Sequence, residues 1–247
     1  MDDIKYILFD WGGTLCNVNR EYDTFHQCAR AGHQTALRHG YPIRDGDENY
    51  LADQFITEHG QASIQDDHPE IRLDPIVRQW LSRLVDRDHP PEIINAVCDA
   101  FWAEWVGCLD EIPRSRETLV QLKCRGYRLG IVSNCATPEN FCHAELDRLG
   151  FRCALDVFSF SSQLGRRKPH PDIYAHALNQ IGHSVPHEVL FVGDSPINDV
   201  VAPAQLGMKT ALLPDHAGHW PPHHYARARP DLNISTVADL LDCLPTI

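Results

Sequence analysis

Short apolar runs and longer amphipathic stretches alternate along most of this chain. Residues 6–10, Tyr-Ile-Leu-Phe-Asp, form an apolar run that ends on an acid. After Trp11 comes the turn Gly12-Gly13-Thr14, so the pattern predicts a buried strand with Asp10 at its carboxyl end. Runs at 128–132, 155–158, 189–192 and 210–213 predict four further strands. Helical periodicity fills the gaps at 115–125, 138–149, 171–182 and 198–206. Strands alternating with helices predict an α/β fold: a Rossmann-like parallel sheet with helices on both faces.

Residues 17–108 break the rhythm. They hold no convincing strand and read as amphipathic helices at 20–39, 47–60, 74–86 and 91–107. Asp-Arg-Asp-His-Pro-Pro at 86–91 separates the last two. The expected organisation is a core made of 1–16 and 109–247, with 17–108 as an inserted helical domain.

Composition narrows the function. The chain has 247 residues, 34 acidic against 22 basic, for a net charge of -12. Only four basic residues are lysines: Lys5, Lys123, Lys168 and Lys209. An acidic chain without a basic stripe predicts no nucleic-acid and no anionic-membrane partner. No apolar run approaches the ~18 residues of a membrane span. The amino terminus lacks the features of a signal peptide, and nine scattered cysteines without a C-x-x-C read as reduced thiols, so a cytoplasmic location is expected.

Ligands of an open parallel sheet bind outside the carboxyl ends of its strands. Four polar clusters fall at such ends or beside them: Asp10 to Thr14, Ser133-Asn134, Lys168-Pro169, and Gly193-Asp194-Ser195-Pro196-Ile197-Asn198-Asp199. They offer a carboxylate nucleophile, a hydroxyl and an amide, one cation and two more carboxylates. Such a set suits a hard divalent cation and a phosphoryl group.

In this order, Asp-x-x-Gly-Thr-Leu, Ser-Asn, Lys-Pro and Gly-Asp-Ser-x-x-Asn-Asp resemble the motifs of the haloacid dehalogenase superfamily. The helical insert resembles that family's C1-type cap, as in phosphoglycolate phosphatase-like members. The resemblance implies a Mg²⁺-dependent phosphatase that cleaves a small phosphomonoester through an aspartyl-phosphate on Asp10. It implies that Asp10, Asp194 and the Gly12 carbonyl bind Mg²⁺, with Asp199 in the metal site as a holder of metal waters or of Lys168. It makes Ser133 and Lys168 catalytic beside Asp10, and places Asn134, Gly13 and Thr14 in the binding loops. The expected partner is a small phosphorylated molecule; monomer and homodimer stay open.

One position departs from the pattern. Most phosphatases of the superfamily carry a second aspartate two residues after the nucleophile as general acid and base; this chain has Gly12. Loss of such a group costs ~10²–10⁴-fold in rate. A cap residue, either a histidine (His26, His33, His39, His59, His68 or His89) or one of the many carboxylates there, or an acidic leaving group are the ways around it. Phosphonoacetaldehyde hydrolase also lacks that aspartate, but needs a cap lysine, and residues 17–108 contain none. Two alternatives remain: 2-haloacid dehalogenase-type chemistry at Asp10, which the pairing of Asp194 with Asp199 disfavours, and a weakly active or inactive phosphate-binding relative.

Other features have plainer readings. The His/Pro-rich stretch His216 to His224 lacks a helical ligand frame and reads as a surface loop, not a zinc site. Cys16 reads as a small apolar residue, Trp11 as packing under the cap, and Trp102 and Trp105 as cap core.

Overall fold

The computed structural model of the protein describes residues 1, 3–18, 21–44, 46–62, 65, 67–182, 186–216 and 218–247, and only the backbone of 21–23. In chain order the strands are β1 (Tyr6–Phe9), β2 (Cys16–Val18), β3 (Leu109–Glu111), β4 (Arg128–Ser133), β5 (Val157–Phe160), β6 (Val189–Gly193), β7 (Lys209–Leu212) and β8 (Leu232–Asn233). The helices are α1 (Glu21–Arg38), α2 (Asp47–Ala62), α3 (Leu73–Leu84), α4 (Pro91–Trp105), α5 (Ser115–Cys124), α6 (Glu139–Leu149), α7 (Ser161–Leu164), α8 (Pro171–Gln180), α9 (Ala202–Gln205), α10 (Pro222–Arg227) and α11 (Leu240–Cys243).

Six strands form one sheet in the order β5-β4-β1-β6-β7-β8, and every neighbouring pair is parallel. Alternation decides what each face buries. Ile7, Phe9, Leu129, Ile131, Leu190 and Val192 pack on one side against Leu119 and Leu122 of α5 and Leu146 of α6. Leu8, Val132, Val189 and Phe191 pack on the other side against Ile173, Tyr174 and Ala177 of α8. Both faces are covered, which is why these strands read as continuous apolar runs. The chain leaves β1 towards β4 and β5, then returns to build β6, β7 and β8 on the opposite side. β1 is therefore the switch point of the sheet, where a crevice opens at the carboxyl ends.

Helices α1–α4 build a separate apolar cluster. Leu73, Ile76, Val77, Trp80 and Leu81 give α3 a helical stripe, which meets Ile93, Ile94, Val97, Phe101 and Trp102 of α4. Trp102 is buried there, and Trp105 packs between this cluster and that of the sheet.

Several local expectations need correction. The strand expected at 155–158 runs from Val157 to Phe160, because Arg152–Ala154 winds as a 3₁₀ turn first. Residues 17 and 18 are not helical: they belong to β2, which pairs antiparallel with β3 in a two-stranded ribbon between core and helices. Residue 20, the expected start of the first helix, lies outside the described residues. The helix expected at 198–206 is a π turn over Pro196–Val201 followed by α9. Trp11 is buried in the sheet-side cluster, its ring centroid 6.1 Å from that of Phe160.

The helical segment also meets the core along a seam. Pro69 and Arg166 form an antiparallel bridge; the Glu70 amide donates to the Gly165 carbonyl (3.0 Å) and the Arg167 amide to the His68 carbonyl (2.8 Å). The Arg167 guanidinium pairs with the buried Glu70 carboxylate at 3.0 Å and lies 3.2 Å from His59 Nε2. Burial first, and then the Arg167 charge, pull the His59 imidazole down from 6.5 to about 4. The folded state thus binds fewer protons than the unfolded chain between those values, so stability falls as pH drops through that window. The loss is at most about 3 kcal/mol. Urea unfolding at stepped pH checks this, with His59→Gln expected to flatten the slope; an equal slope in both proteins would refute the assignment.

Candidate active site

The register of the three central strands brings the polar clusters together. Phe9 aligns with Ile131 of β4 and with Val192 of β6, so Asp10, Ser133 and Asp194 emerge side by side. The Asp10 amide donates to the Val192 carbonyl at 2.9 Å, extending the ladder by one residue. Asp10, Asp194 and Asp199 each offer a carboxylate oxygen, all within 4.8 Å of one another. Lys168 is buried between two of them, its Nζ 2.8 Å from Asp10 Oδ1 and 2.8 Å from Asp199 Oδ1.

The electrostatics follow from this crowding. Burial alone would strip the Lys168 ammonium of its proton, but Asp10 and Asp199 outweigh burial and raise it above its ordinary value. Burial, then repulsion from Asp10, pushes the Asp194 carboxyl up to about 6. Burial likewise raises Asp199, against the pull of Lys168. Three carboxylates thus share one ammonium, and a dication would complete the balance. The donor set is oxygen-rich, as a hard cation requires, so the residues present fit the metal that the motifs imply. Asp199 has little left to offer as a direct ligand. Its Oδ1 takes Lys168, and its Oδ2 accepts the Ser195 amide at 2.9 Å.

Two glycines make room for these acids. A Cβ at Gly193 would lie 2.2 Å from Asp199 Oδ2, and one at Gly13, where φ is +76°, would lie 2.8 Å from the Asp194 carboxylate. Gly12 differs: a Cβ there meets nothing within 4 Å. Asn134 acts on the backbone that carries the lysine. Its Oδ1 accepts the Lys168 amide at 2.6 Å and its Nδ2 donates to the Lys168 carbonyl at 3.1 Å. Ser133 is buried at the end of β4. The Thr14 hydroxyl is buried with no hydrogen-bond partner among the described residues. Cys16 is buried too, and burial raises its thiol well above the ordinary range, which suits packing rather than reactivity.

Residues beyond the motifs complete the site. The stretch from His216 is a surface loop only in part, since it turns inward at Trp220 and continues into α10. The Trp220 indole donates to Asp194 Oδ2 at 3.0 Å, and its amide donates to Asp215 Oδ2 at 2.8 Å. Trp220 stands between two cavities. The larger, about 970 Å³, is lined by Gly12, Gly13, Asp194, His216, His219 and Trp220 among others. The smaller, about 360 Å³, reaches Asn134, Lys168, Arg227 and, from the helical segment, His68. Glu70 and Ser161 tie that segment to the site: the Ser161 hydroxyl donates to Glu70 and accepts the Cys135 amide (2.7 Å) just after Ser133-Asn134. The Arg-Arg before Lys168 is a signal that could have pointed to an anchor; nothing in the sequence marks Glu70, Ser161 or Trp220.

A parallel sheet with covered faces, collecting charged loops at its switch point, defines the protein as a Rossmann-like α/β enzyme. The chain belongs to the haloacid dehalogenase-like hydrolases, whose family model matches residues 4–207. It is 29% identical over 215 residues to the glyceraldehyde 3-phosphate phosphatase of Pyrococcus furiosus, covering 85% of this chain and 80% of that one. Among solved structures it is similar to a HAD phosphatase from Thermococcus onnurineus (TM-score 0.62, 21% identity, 98% of this chain and 99% of that one). A dehalogenase solved with an intermediate complex is equally similar (TM-score 0.63, 21% identity, 100% of both chains). The shared fold therefore accommodates both chemistries. Among the described residues, no helix is long and apolar enough to cross a membrane.

Proposed function

We propose that the protein is a divalent-cation-dependent phosphatase that hydrolyses a small phosphomonoester through an aspartyl-phosphate on Asp10. The observation that carries this reading is the Asp10–Lys168–Asp199 arrangement with Asp194 within 4.8 Å. A haloacid carries its own carboxylate, which a three-carboxylate cluster repels; a metal-assisted phosphoryl group is what such a cluster suits. The similarity to a phosphatase acting on a three-carbon sugar phosphate supports the same choice.

Asp10, Asp194 and the Gly12 carbonyl would hold Mg²⁺, with Asp199 anchoring Lys168 behind them. When bound, the cation neutralises charge on the transferring phosphoryl group. Lys168 binds a phosphoryl oxygen and keeps the Asp10 carboxylate oriented, while Ser133 donates a hydrogen bond to the same group. An Asp10 oxygen bonds to phosphorus as the ester P–O bond breaks, and the leaving oxygen needs a proton. Water then attacks the phosphorus, releasing phosphate and restoring the Asp10 carboxylate. Gly13 serves the close approach to Asp194, Thr14 the turn, and Asn134 the placement of Lys168. Residues 17–108 act as a cap that excludes water and selects the substrate.

Phosphate release from p-nitrophenyl phosphate and from sugar phosphates, with Mg²⁺ and with chelator, tests the reading. Mg²⁺-dependent release that requires Asp10 is expected. Halide release without metal, and no phosphate release, would replace it with dehalogenation.

Stability supplies a second test. Asp194 holds its proton more tightly in the folded state than in the unfolded chain. Without cation, the fold therefore loses stability as pH rises through about 6. A cation binds the ionised form, so the gain in Tm from saturating Mg²⁺ is expected to be larger above pH ~7 than near pH ~5. Scanning fluorimetry in Mg²⁺ and in chelator measures it; a gain that does not change with pH would argue against these carboxylates as the ligands.

A further inference from the structure

The phosphatase reading leaves one proton unaccounted for. Gly12 has no side chain to protonate the leaving oxygen, and the space where a side chain would stand is open. The imidazoles of the helical segment do not fill it. His26 lies beside Asp53, His33 beside the Arg44 carbonyl, and His89 is bonded to the Tyr41 hydroxyl. His59 is held by Arg167, His68 lines the other cavity, and His39 lines a separate one with Tyr41 and Arg87.

Resting on that phosphatase reading, we propose that His219, on the loop after β7, is the general acid and base that residue 12 is not. His219 lines the same cavity as Gly12. Its ring nitrogen and an Asp194 oxygen lie within 4.8 Å. Its Nδ1 stands 3.7 Å from the Asp215 carboxylate, whose side chain is 2% exposed. That buried acid also accepts the Trp220 amide, and the Trp220 indole is bonded to Asp194. The loop is thus fastened to the site on the residue next to His219, and a carboxylate stands at ion-pair distance from the imidazole, near enough to orient it when the ring closes on substrate. An imidazole ring can serve both as proton donor and as proton acceptor.

The proton inventory closes. As Asp10 bonds to phosphorus and the ester P–O bond breaks, imidazolium passes its proton to the leaving oxygen and becomes neutral. The imidazole then takes a proton from the water that attacks the aspartyl-phosphate, which returns imidazolium, free Asp10 and inorganic phosphate.

The test is a leaving-group series with Mg²⁺: p-nitrophenyl phosphate, phenyl phosphate and an alkyl phosphate, in wild type, His219→Ala, Gly12→Asp and the double variant. In His219→Ala, kcat/KM for the alkyl ester is expected to fall ~10²–10⁴-fold, with the loss shrinking steadily as the leaving group becomes more acidic. Gly12→Asp, which has room for its side chain, is expected to restore alkyl-ester turnover in the His219→Ala background. A loss of equal size across the series, no loss, or no restoration overturns the assignment. These results are separable from failure of the phosphatase reading, in which wild type releases no phosphate from any ester in the series.

Discussion

Asp10→Asn is expected to abolish Mg²⁺-dependent phosphate release, by on the order of 10⁴-fold or more, while the protein stays folded. The amide is a poor nucleophile, and nothing else in the cluster can take its place. Asp194 is bonded to the Trp220 indole, and both oxygens of Asp199 are engaged by Lys168 and the Ser195 amide. The stability half of this expectation is as specific as the kinetic half. The substitution removes one of three neighbouring carboxylates and leaves Lys168 its bond to Asp199, so Tm in chelator is not lowered. The Tm gain produced by Mg²⁺, in contrast, shrinks. Acid-quenched intact-mass measurement completes the test: a phosphorylated protein should be trapped in wild type and absent in the variant. A variant with substantial turnover would dismiss Asp10 as the nucleophile.

Lys168→Met is expected to damage the fold itself. Lys168 is 3% exposed, and its ammonium bridges Asp10 and Asp199. Methionine fills nearly the same volume, so packing is kept and the charge alone is removed. Breaking a buried ion pair from one side costs about 3–5 kcal/mol, because the stranded charges stay buried. Here two carboxylates are stranded, with Asp194 beside them. The double variant Lys168→Met/Asp199→Asn is expected to regain much of that stability and none of the turnover. Urea midpoints of the wild type and both variants decide the matter. An unshifted midpoint in Lys168→Met would mean that the cluster is held by something other than this lysine.

Much of this site could be read from the chain because its chemistry sits where local patterns end. Asp10, Ser133 and Asp194 each follow an apolar run, and a parallel sheet brings the ends of such runs together. Lys168 was legible from its motif, although its two carboxylate partners come from elsewhere in the chain, Asp10 just beyond β1 and Asp199 in the π turn after β6. What stayed hidden depends on long-range contact. Glu70 meets Arg167 across 97 positions, and Trp220 meets Asp194 across 26; no periodicity records either. The ribbon β2–β3 has three residues per strand and owes its form to pairing alone, so no window along the sequence announces it. The shift in β5 has a similar cause. Leu155 continues the apolar run, but Asp156 spends its carboxylate on the Leu129 amide and Lys123 before regular pairing begins.

The seam at Arg166–Arg167 gives the helical segment a further point of attachment to the core besides the β2–β3 ribbon. Arg167 is bonded to the helical segment through its amide, on the His68 carbonyl, and through its guanidinium, on Glu70. The next residue is Lys168, whose amide rests on Asn134. A swing of the helical segment about the ribbon would therefore pull on the peptide unit that carries the Lys168 ammonium. Arg167 and Lys168 thus couple two alignments through one stretch of backbone: a displacement of the helical segment against the sheet would load the peptide units that aim the lysine.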